Sequence, residues 1–491
     1  MRQAFWSALA LALLPGAASA QGYRVRLDAR TQVAGYRGVV LDSIAVGQVV
    51  TGPGGGLLTP DGYAVRCTGA NPFCQYFRPG PVRRGGPLSA SADLAFWGFG
   101  VAGLSVRGLA RTSANVGDTG AWPGTEPVEL LEGYVEYARG AVTVQGGRAQ
   151  ALSRLGAVGF DGGRLTLRAP VAGLEATAFG GYSLARASAL PLTSPALNPL
   201  DDYQPRERFL LAGGGVAAAS RWGNARAVYQ RQVDPATDYF ASERAGVDLT
   251  LRPPVAGLSL TAGADFDLAR MVWGSAEAVL AFAYGPAAVS AGARRYQPHF
   301  DLWTIWGAFS PVAYHAVHGA ARAVLRTGLE VSGRGEWFAF EPAMAETPLT
   351  DVEMEGWRWS AGVRFEPRDD LAFDAGARVE YGPGASSRGF DLAAAYRPSD
   401  RLSLSLQGAA LERPLEFRYD QSSVWMVGAQ VDWRARPDLG VAFGFSRYTE
   451  TRDRPDAAAF DWNQVRFHAR VTWAFGSSAD RAPLPPASPG L

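Results

Sequence analysis

The chain has 491 residues, and its 47 basic and 46 acidic residues leave a net charge of only +1. This balance excludes a dedicated nucleic-acid binder, which carries a basic excess, and the lack of charge runs and of Gln/Ser-rich tracts argues against long disorder. Every basic residue is arginine, and the 59 glycines, 14 tryptophans, 17 tyrosines and 24 phenylalanines suit twisted strands, tight turns and membrane interfaces.

The first twenty residues predict a secretory signal peptide. Arg2 supplies the positive charge, residues 4–14 form a short apolar core, and residues 18–20 form a small-residue cleavage site. An apolar run of about eleven residues is too short for a spanning helix, which needs about 20; an uncleaved anchor is the alternative. The mature chain is therefore predicted to leave the cytoplasm and to begin at Gln21.

The body of the chain alternates between apolar and polar residues with period two. In residues 465–475 the odd positions are apolar and most of the even positions are polar, and residues 23–30, 258–268 and 371–381 repeat the pattern. A helix would need a period of 3.6. The strands are about ten residues long, which is enough to cross a bilayer when tilted, and a closed sheet satisfies every backbone group in lipid. Residues 21–475 are therefore predicted to form an all-β, antiparallel transmembrane barrel.

Short turns rich in Gly, Pro, Asp and Asn give the strand number. Ten of them recur, at residues 100–103, 139–140, 170–173, 222–224, 253–257, 285–286, 326–328, 367–370, 398–400 and 436–438. Longer polar links lie between them, as in outer-membrane barrels. Ten turns join twenty strands, and the first and last strands make about 22, with 18 or 20 as alternatives. An even number places both termini in the periplasm, and residues 300–311 are assigned to an outer loop.

The hairpin predicted over residues 130–150 resembles one found in bacterial outer-membrane porins, including the alginate-export-like family. There an acidic and aromatic strand precedes a strand that ends in a Gly-Arg pair. The corresponding residues here are Glu132, Tyr134, Glu136, Tyr137, Gly147 and Arg148. The last strand is similar to the assembly signal of such barrels because it ends in an aromatic residue, Phe475. The resemblance implies an outer-membrane protein that the barrel-assembly machinery recognises through this strand. Residues 476–491, rich in Pro and Ser, are predicted to be a disordered extension.

Arginines are the candidate pore-lining residues. Nine fall on the inferred lumen faces: Arg24, Arg26, Arg30, Arg164, Arg168, Arg364, Arg378, Arg466 and Arg470. Arginine keeps its charge at ordinary pH, and fixed arginines in a pore attract anions. The alternative is that acidic residues pair with them and hold the wall together. Five aromatic residues near strand ends are candidates for interface girdles: Trp273, Tyr381, Trp425, Trp433 and Tyr448.

The longest predicted link, residues 34–90, is the candidate constriction. It contains a glycine-rich run at residues 52–56 and two cysteines, Cys67 and Cys74, which an oxidising compartment is predicted to join. Its aromatic and basic residues are Phe73, Tyr76, Phe77, Arg78, Arg83 and Arg84. A solvated outer loop would not need these residues or a disulfide, so we expect the link to fold into the barrel, with residues 300–311 as a second inserted element. A compact cap outside the rim is the alternative.

These observations predict a porin-like channel of the outer membrane for passive diffusion of small polar or anionic solutes. The alternative is a structural or partner-holding barrel, such as the sheath of an electron-transfer conduit or an assembly scaffold. We expect no enzyme, because there is no G-x-S-x-G motif and no further Cys or His lies near the two cysteines to complete a metal site. The expected partners are outer-membrane lipid, the assembly machinery and small solutes, with no cofactor, metal or nucleic acid.

Overall fold

A computed structural model of the chain describes residues 22–52, 55–69, 71–116, 128–169, 173–184, 208–235, 240–297, 313–341, 354–382, 385–415, 421–453 and 462–477. The predicted signal peptide and all but the first two residues of the predicted C-terminal extension lie outside these residues. The described elements are strands, apart from one 3-10 turn at Val46–Gln48. No helix in the described part of the chain is long and apolar enough to cross a membrane.

One closed antiparallel wall contains most of the strands. The strands are β1 (Gly22–Ala45), β2 (Val50–Thr51), β3 (Leu57–Leu58), β4 (Val65–Arg66), β5 (Phe73–Gly85), β6 (Pro87–Trp97), β7 (Leu104–Asn115), β8 (Val128–Arg139), β9 (Val142–Ser153), β10 (Gly156–Ala169), β11 (Leu174–Ser183), β12 (Leu210–Ser220), β13 (Gly223–Val233), β14 (Phe240–Leu251), β15 (Leu258–Asp267), β16 (Val272–Tyr284), β17 (Ala287–Tyr296), β18 (Tyr314–Arg326), β19 (Leu329–Phe340), β20 (Glu355–Arg368), β21 (Leu371–Gly382), β22 (Ala385–Ser399), β23 (Leu402–Leu415), β24 (Gln421–Arg436), β25 (Leu439–Asp453) and β26 (Trp462–Gly476). The wall consists of β1 and β6 to β26, each paired with the next, and β1 pairs with both β6 and β26. The predicted barrel of about 22 strands is therefore confirmed.

The ten predicted turns all lie at one end of the barrel, which we call the turn end. They connect β6 to β7, β8 to β9, and then each second pair of strands up to β24 and β25. The first residues of β1 and the last residues of β26 lie at the same end, where Arg24 pairs with Gly476. The other links lie at the opposite end, which we call the loop end. Residues 300–311, predicted to be an outer loop, follow β17 and precede β18 in the sequence and lie outside the described residues.

Contacts across the barrel identify its inner face. Arg154, in the turn between β9 and β10, forms ion pairs with Asp248 on β14 and Glu277 on β16. Because these strands lie several positions away around the wall, the contacts must pass through the interior. Side chains alternate along each strand, so the strand register extends this assignment to the whole wall.

The outer face has the pattern of a membrane barrel. It carries exposed apolar side chains such as Val135, Val247, Leu280, Leu392, Leu406 and Val471. Its aromatic residues concentrate near both ends: Trp273, Trp357, Trp359, Tyr381 and Trp425 towards the loop end, and Tyr284, Phe373, Tyr396, Trp433 and Trp473 towards the turn end. Trp425 and Trp433 are eight residues apart on β24, or ~26 Å along the strand. With a strand tilt of ~40° this is ~20 Å across the bilayer, comparable to the apolar band of ~25 Å that such barrels present to lipid. The protein is thus an outer-membrane barrel.

One aromatic residue predicted for the girdles lies elsewhere. Tyr448 lies opposite Gln464 of β26, on the inner face, and its hydroxyl donates a hydrogen bond to the Glu450 carboxylate at 3.2 Å. The prediction for Tyr448 was therefore wrong. The alternation of β25 continues unbroken from Phe443 and Phe445 on the outer face, so an even-numbered residue such as Tyr448 must point inwards.

The first link is a projecting β-ribbon for most of its length. Residues 34–45 of β1 pair with residues 73–85 of β5, beyond the point where β1 leaves β26 and β6 leaves β7. We call residues 35–45 and 73–85 the ribbon. The prediction of a loop over residues 34–90 was wrong in extent, since only residues 46–72 connect the two strands.

The connection at the end of the ribbon is fastened to it. The predicted disulfide between Cys67 and Cys74 is present, and the rings of Tyr63 and Tyr76 stack at 5.8 Å. Val65–Arg66 adds a short third strand beside β5. The tip of the ribbon is therefore a small structured unit and not an open loop.

Candidate functional site: the barrel lumen

The hairpin formed by β9 and β10 leaves the wall and enters the lumen. The pairing between β8 and β9 ends at Arg148, and the pairing between β10 and β11 ends at Phe160. Beyond these points β9 and β10 pair only with each other, up to Ser153 and Gly156. We call residues 149–159 the inner hairpin. Its two-residue turn carries Arg154 and Leu155.

Charged contacts fasten the end of the inner hairpin to the far wall. The Arg154 guanidinium donates hydrogen bonds to the Asp248 carboxylate at 3.1 Å and to the Glu277 carboxylate at 2.9 Å. In return, two wall arginines donate to hairpin carbonyls: Arg244 to Leu155 at 2.9 Å and Arg226 to Leu152 at 3.1 Å. The side chain of Arg154 is only 12% exposed, so the hairpin end is enclosed by β13–β16.

An apolar cluster holds one face of the inner hairpin against β11 and β12. Its buried members are Ala149, Ala151, Val158, Phe160 and Leu211, with Tyr134 and Phe179 packed against them. The ring of Phe160 is fully buried and stacks on Phe179 at 5.5 Å. Burying a phenylalanine contributes about 1.5–3 kcal/mol. The hairpin is thus held by packing as well as by charge.

Glycines at its base allow the inner hairpin to turn away from the wall. Gly147 on β9 lies opposite Gly162 on β10. Gly147 has φ +130°, and a Cβ there would collide with the carbonyl oxygen of Gly133. A Cβ on Gly162 would collide with the carbonyl oxygen of Gly180. Only glycine permits such close approach of neighbouring backbones, so this pair fixes where the hairpin departs.

A second ionic cluster supports the base. The Arg148 guanidinium binds the Asp161 carboxylate through two hydrogen bonds, at 2.7 and 2.9 Å, and Arg208 binds the same carboxylate at 2.8 Å. Arg148 also donates to the carbonyl of Leu130 at 2.7 Å. Arg148, noted in the sequence for its likeness to a porin hairpin, thus fastens β9 to β10 at the point where β9 leaves β8.

All nine arginines proposed as pore-lining lie on the inner face by the strand register. Three form ion pairs: Arg168 with Glu175 at 2.9 Å, Arg364 with Glu366 at 2.6 Å and Arg470 with Asp28 at 2.5 Å. Three donate to neutral oxygens: Arg30 to Ser89, Arg164 to Gln145 and Arg466 to Gln464. Within the described residues, Arg24, Arg26 and Arg378 have no ion-pair partner. Acidic residues therefore neutralise only part of this arginine surface.

The residues proposed as a constriction lie on the ribbon. They are Phe73, Tyr76, Phe77, Arg78, Arg83 and Arg84, all in β5. Phe73 and Phe77 are 51% and 56% exposed, and Arg78 pairs with Asp42 on the adjacent ribbon strand at 2.6 Å. That these residues narrow the channel stays a prediction. The described element whose contacts cross the lumen is the inner hairpin. Its signals in the sequence were the Gly-Gly pairs at residues 146–147 and 162–163 and the short Ser-Arg-Leu-Gly segment between them.

The opposite wall carries a dense group of arginines. The carboxylate of Glu336 on β19 is almost fully buried and accepts hydrogen bonds from Arg294 at 2.6 Å, Arg358 at 2.9 Å and Arg334 at 3.3 Å. Arg358 also binds Glu380 at 3.0 Å. Arg294 and Arg358 both donate to Oε1, whereas Arg334 donates to Oε2 at the longest of the three distances, so Arg334 is the most weakly held of the three. Its side chain is 52% exposed to the lumen.

Comparisons with known proteins find similarity only among solved structures. No protein-family model and no curated protein matches the chain. A BenF-like porin from Pseudomonas fluorescens is similar over 93% of this chain and 100% of its own, with 10% identity and a TM-score of 0.39. OccAB4 from Acinetobacter baumannii covers 94% of this chain and 100% of its own at 6% identity, also with a TM-score of 0.39. OpdK from Pseudomonas aeruginosa, solved with vanillate, covers 93% and 99% at 9% identity and 0.37. We therefore draw the function from the geometry of the barrel itself.

Proposed function

We propose that the protein is an outer-membrane channel for passive diffusion of small polar solutes. The width of the barrel carries this proposal. Barrels of 16–18 strands already leave an aqueous channel, and this wall has 22. Its inner face is polar and accessible to water: the side chains of Arg322 and Arg470 are 61% and 52% exposed.

The inner hairpin sets the constriction of the proposed channel. It spans from β9 and β10 to β14 and β16, so that solutes must pass beside it. The charge at its tip does not favour anions, because the single guanidinium of Arg154 faces two carboxylates of the wall, those of Asp248 and Glu277. A bias towards anions would arise elsewhere on the inner face, where Arg378, for example, lacks an acidic partner among the described residues.

The same proposal fixes the orientation in the membrane. The turn end would face the periplasm, with both chain ends, and the ribbon and its disulfide would face outwards, because short turns are periplasmic in outer-membrane barrels. The C-terminal strand would serve as the signal for the assembly machinery. Its last aromatic residue, Phe475, lies opposite Val25 at the seam with β1.

Single-channel recording in planar bilayers tests the proposal. We expect the purified barrel to give stable conductance steps in KCl, and a reversal potential under a salt gradient that reports preference for chloride. Heat-modifiable migration on a gel confirms that the sample is folded. A folded barrel that gives no steps would contradict the channel and favour the alternative of a barrel that holds a partner.

A further inference from the structure

A pocket in the lumen wall lies between two loosely held arginines. It has a volume of about 420 Å³ and is formed by β16–β20 on the turn-end side of the Glu336 cluster. The residues that line it include Arg322, Arg334, Ser290, Ser332, Ser360 and Ala320. Small side chains form its floor and leave space beside the wall. Elsewhere on β19 and β20 the inner face carries arginine and glutamate.

The two arginines have hydrogen-bonding capacity left over. Arg322 lies 3.8 Å from Glu330, which is beyond hydrogen-bond distance, and Arg334 makes one bond to Glu336 at 3.3 Å. A guanidinium has five N–H donors. Each side chain is more than half exposed, so several donors on each remain available to a molecule in the pocket.

The remaining lining completes a site for an oxyanion. The hydroxyls of Ser290, Ser332 and Ser360 border the pocket, and among the described residues none of them has a hydrogen-bond partner. Paired guanidiniums bind a planar oxyanion through parallel hydrogen bonds, and hydroxyls add further donors. The methyl groups of Ala281 and Ala320 border the pocket as well and suit the apolar part of an organic anion.

A second cavity, of about 610 Å³, provides a contrast. It lies at the turn end of β10–β14 and also contains two arginines. There Arg168 is paired with Glu175 at 2.9 Å, and Arg226 donates to the Leu152 carbonyl of the inner hairpin. Its arginines are thus engaged by the protein, whereas Arg322 and Arg334 are not fully engaged.

We propose that the pocket between Arg322 and Arg334 binds the carboxylate of a short aliphatic acid. The guanidiniums and serine hydroxyls would hold the carboxylate, and the alanines would contact the aliphatic part. A free phosphate shares the oxyanion chemistry but has no apolar part to place against the alanines. A role of this site in transport rests on the proposed function. Binding of the acid can be measured whether or not the barrel conducts.

Binding to the detergent-solubilised barrel tests the site without reference to transport. The probe is sodium butyrate, and the readout is its NMR line broadening as concentration rises. Arg322→Gln/Arg334→Gln should weaken binding about tenfold or more. The matched control is Arg24→Gln/Arg26→Gln, which removes the same charge from the inner face away from the pocket and should change the affinity less than about twofold.

Three outcomes would overturn the assignment. Equal weakening of butyrate binding in both double variants would mean that butyrate is attracted only by the overall positive potential of the lumen. Unchanged binding in the Arg322/Arg334 variant would exclude the pocket. Phosphate that binds as tightly as butyrate would exclude a carboxylate with an aliphatic tail. A barrel that binds butyrate through these arginines but gives no conductance steps would refute the channel and leave the site standing.

Discussion

The ribbon and the inner hairpin are both pairs of antiparallel strands that continue beyond their neighbours in the wall, yet one projects from the barrel and the other enters it. At the base of the inner hairpin, Gly147 has a positive φ and faces Gly162 across the pair. The strands of the ribbon have no positive φ among their described residues. The ribbon therefore continues the direction of β1 and β6, whereas β9 can turn.

The two hairpins also differ in what their side chains contact. The inner hairpin has small and apolar residues on one face, from Ala149 to Phe160, and this face packs on Phe179 and Leu211. The ribbon carries an exposed ion pair, between Asp42 and Arg78. Apolar side chains alone do not bring a hairpin into the lumen, because the ribbon leaves Leu41, Phe73 and Phe77 more than half exposed. The inner hairpin differs in having a base that can bend and wall residues against which its apolar face is buried.

The largest effect is expected from removing each hairpin in turn. Replacing residues 149–159 by an Asn-Gly turn should raise single-channel conductance several-fold, because the only described element that crosses the lumen is lost. Replacing residues 36–84 of the ribbon by the same turn should leave conductance unchanged. If the ribbon variant opened the pore and the hairpin variant did not, the constriction would lie in the first link, as the sequence suggested.

Truncating one ring in each hairpin sharpens the comparison. Phe160→Ala should cost about 3–5 kcal/mol of local packing and release the inner hairpin, which would appear as noisy current and as faster hydrogen exchange in residues 149–159. Phe77→Ala on the ribbon removes a ring that is 56% exposed and should leave both readouts as in the wild type. Quiet current in the Phe160 variant would show that charge alone holds the hairpin.

The disulfide should matter to the ribbon alone. It closes a loop with a sequence separation of seven, and a loop of this size loses about 2–3 kcal/mol of stabilisation when opened. Cys67→Ser/Cys74→Ser should therefore speed proteolysis of residues 46–72 while the heat-modifiable shift and the conductance stay unchanged. Failure of this variant to assemble would tie the ribbon to barrel formation.

Removing the ionic contact at the end of the inner hairpin should have a smaller effect than removing its packing. Arg154→Met keeps the alkyl stem and should cost on the order of 1 kcal/mol, since Asp248 and Glu277 are both partly exposed. Wild-type current should become noisier as KCl rises from 0.1 to 1 M, because salt screens these contacts, and the variant should show little change. An equal response to salt in both proteins would count against this role of Arg154.

The smallest effect concerns the ion pair of the ribbon. Hydrogen bonds from the Arg78 guanidinium and the Ser43 amide hold the pKa of the Asp42 carboxyl below its usual 3.8. The contribution of the pair should be complete above the usual pKa and disappear as pH falls through the lowered value. Hydrogen exchange of residues 39–45, corrected for its intrinsic pH dependence, should match that of Asp42→Asn at low pH and be slightly slower above pH 4. Identical exchange throughout would show that the pair contributes nothing.

The wall could be predicted from the sequence because its signals are local. Period-two alternation identifies strands, and turn residues between them give their number and the end at which the chain begins. The ribbon was missed because Pro79 and Pro81 lie in β5, and proline normally argues against a strand. Here β5 can accept these prolines. It pairs with β1 on one edge and only with the two-residue β4 on the other, so most of that second edge has no backbone partner among the described residues.

The inner hairpin could not be predicted in the same way, because its position depends on distant partners. Nothing near Arg154 in the sequence points to Asp248 or Glu277, which are 94 and 123 residues away. The alternation of β9 and β10 is the same whether the hairpin stays in the wall or leaves it. The glycines at its base indicate only that a bend is possible, and the wall supplies the apolar and charged partners that decide its direction.

The seam between the first and last strands determines when the barrel can be completed. β1 pairs with β26 from Arg24 opposite Gly476 to Ala34 opposite Arg466, so strands at opposite ends of the chain must meet. Contacts of such sequence separation form slowly, because the intervening chain must first be ordered. Until β26 arrives, β1 and the newest strand both expose open edges, which invite pairing with other chains. A chain that stops before β26 would leave unpaired the edge of β1 that normally pairs with β26. Loss of the last strand should therefore lead to aggregation and not to a smaller pore.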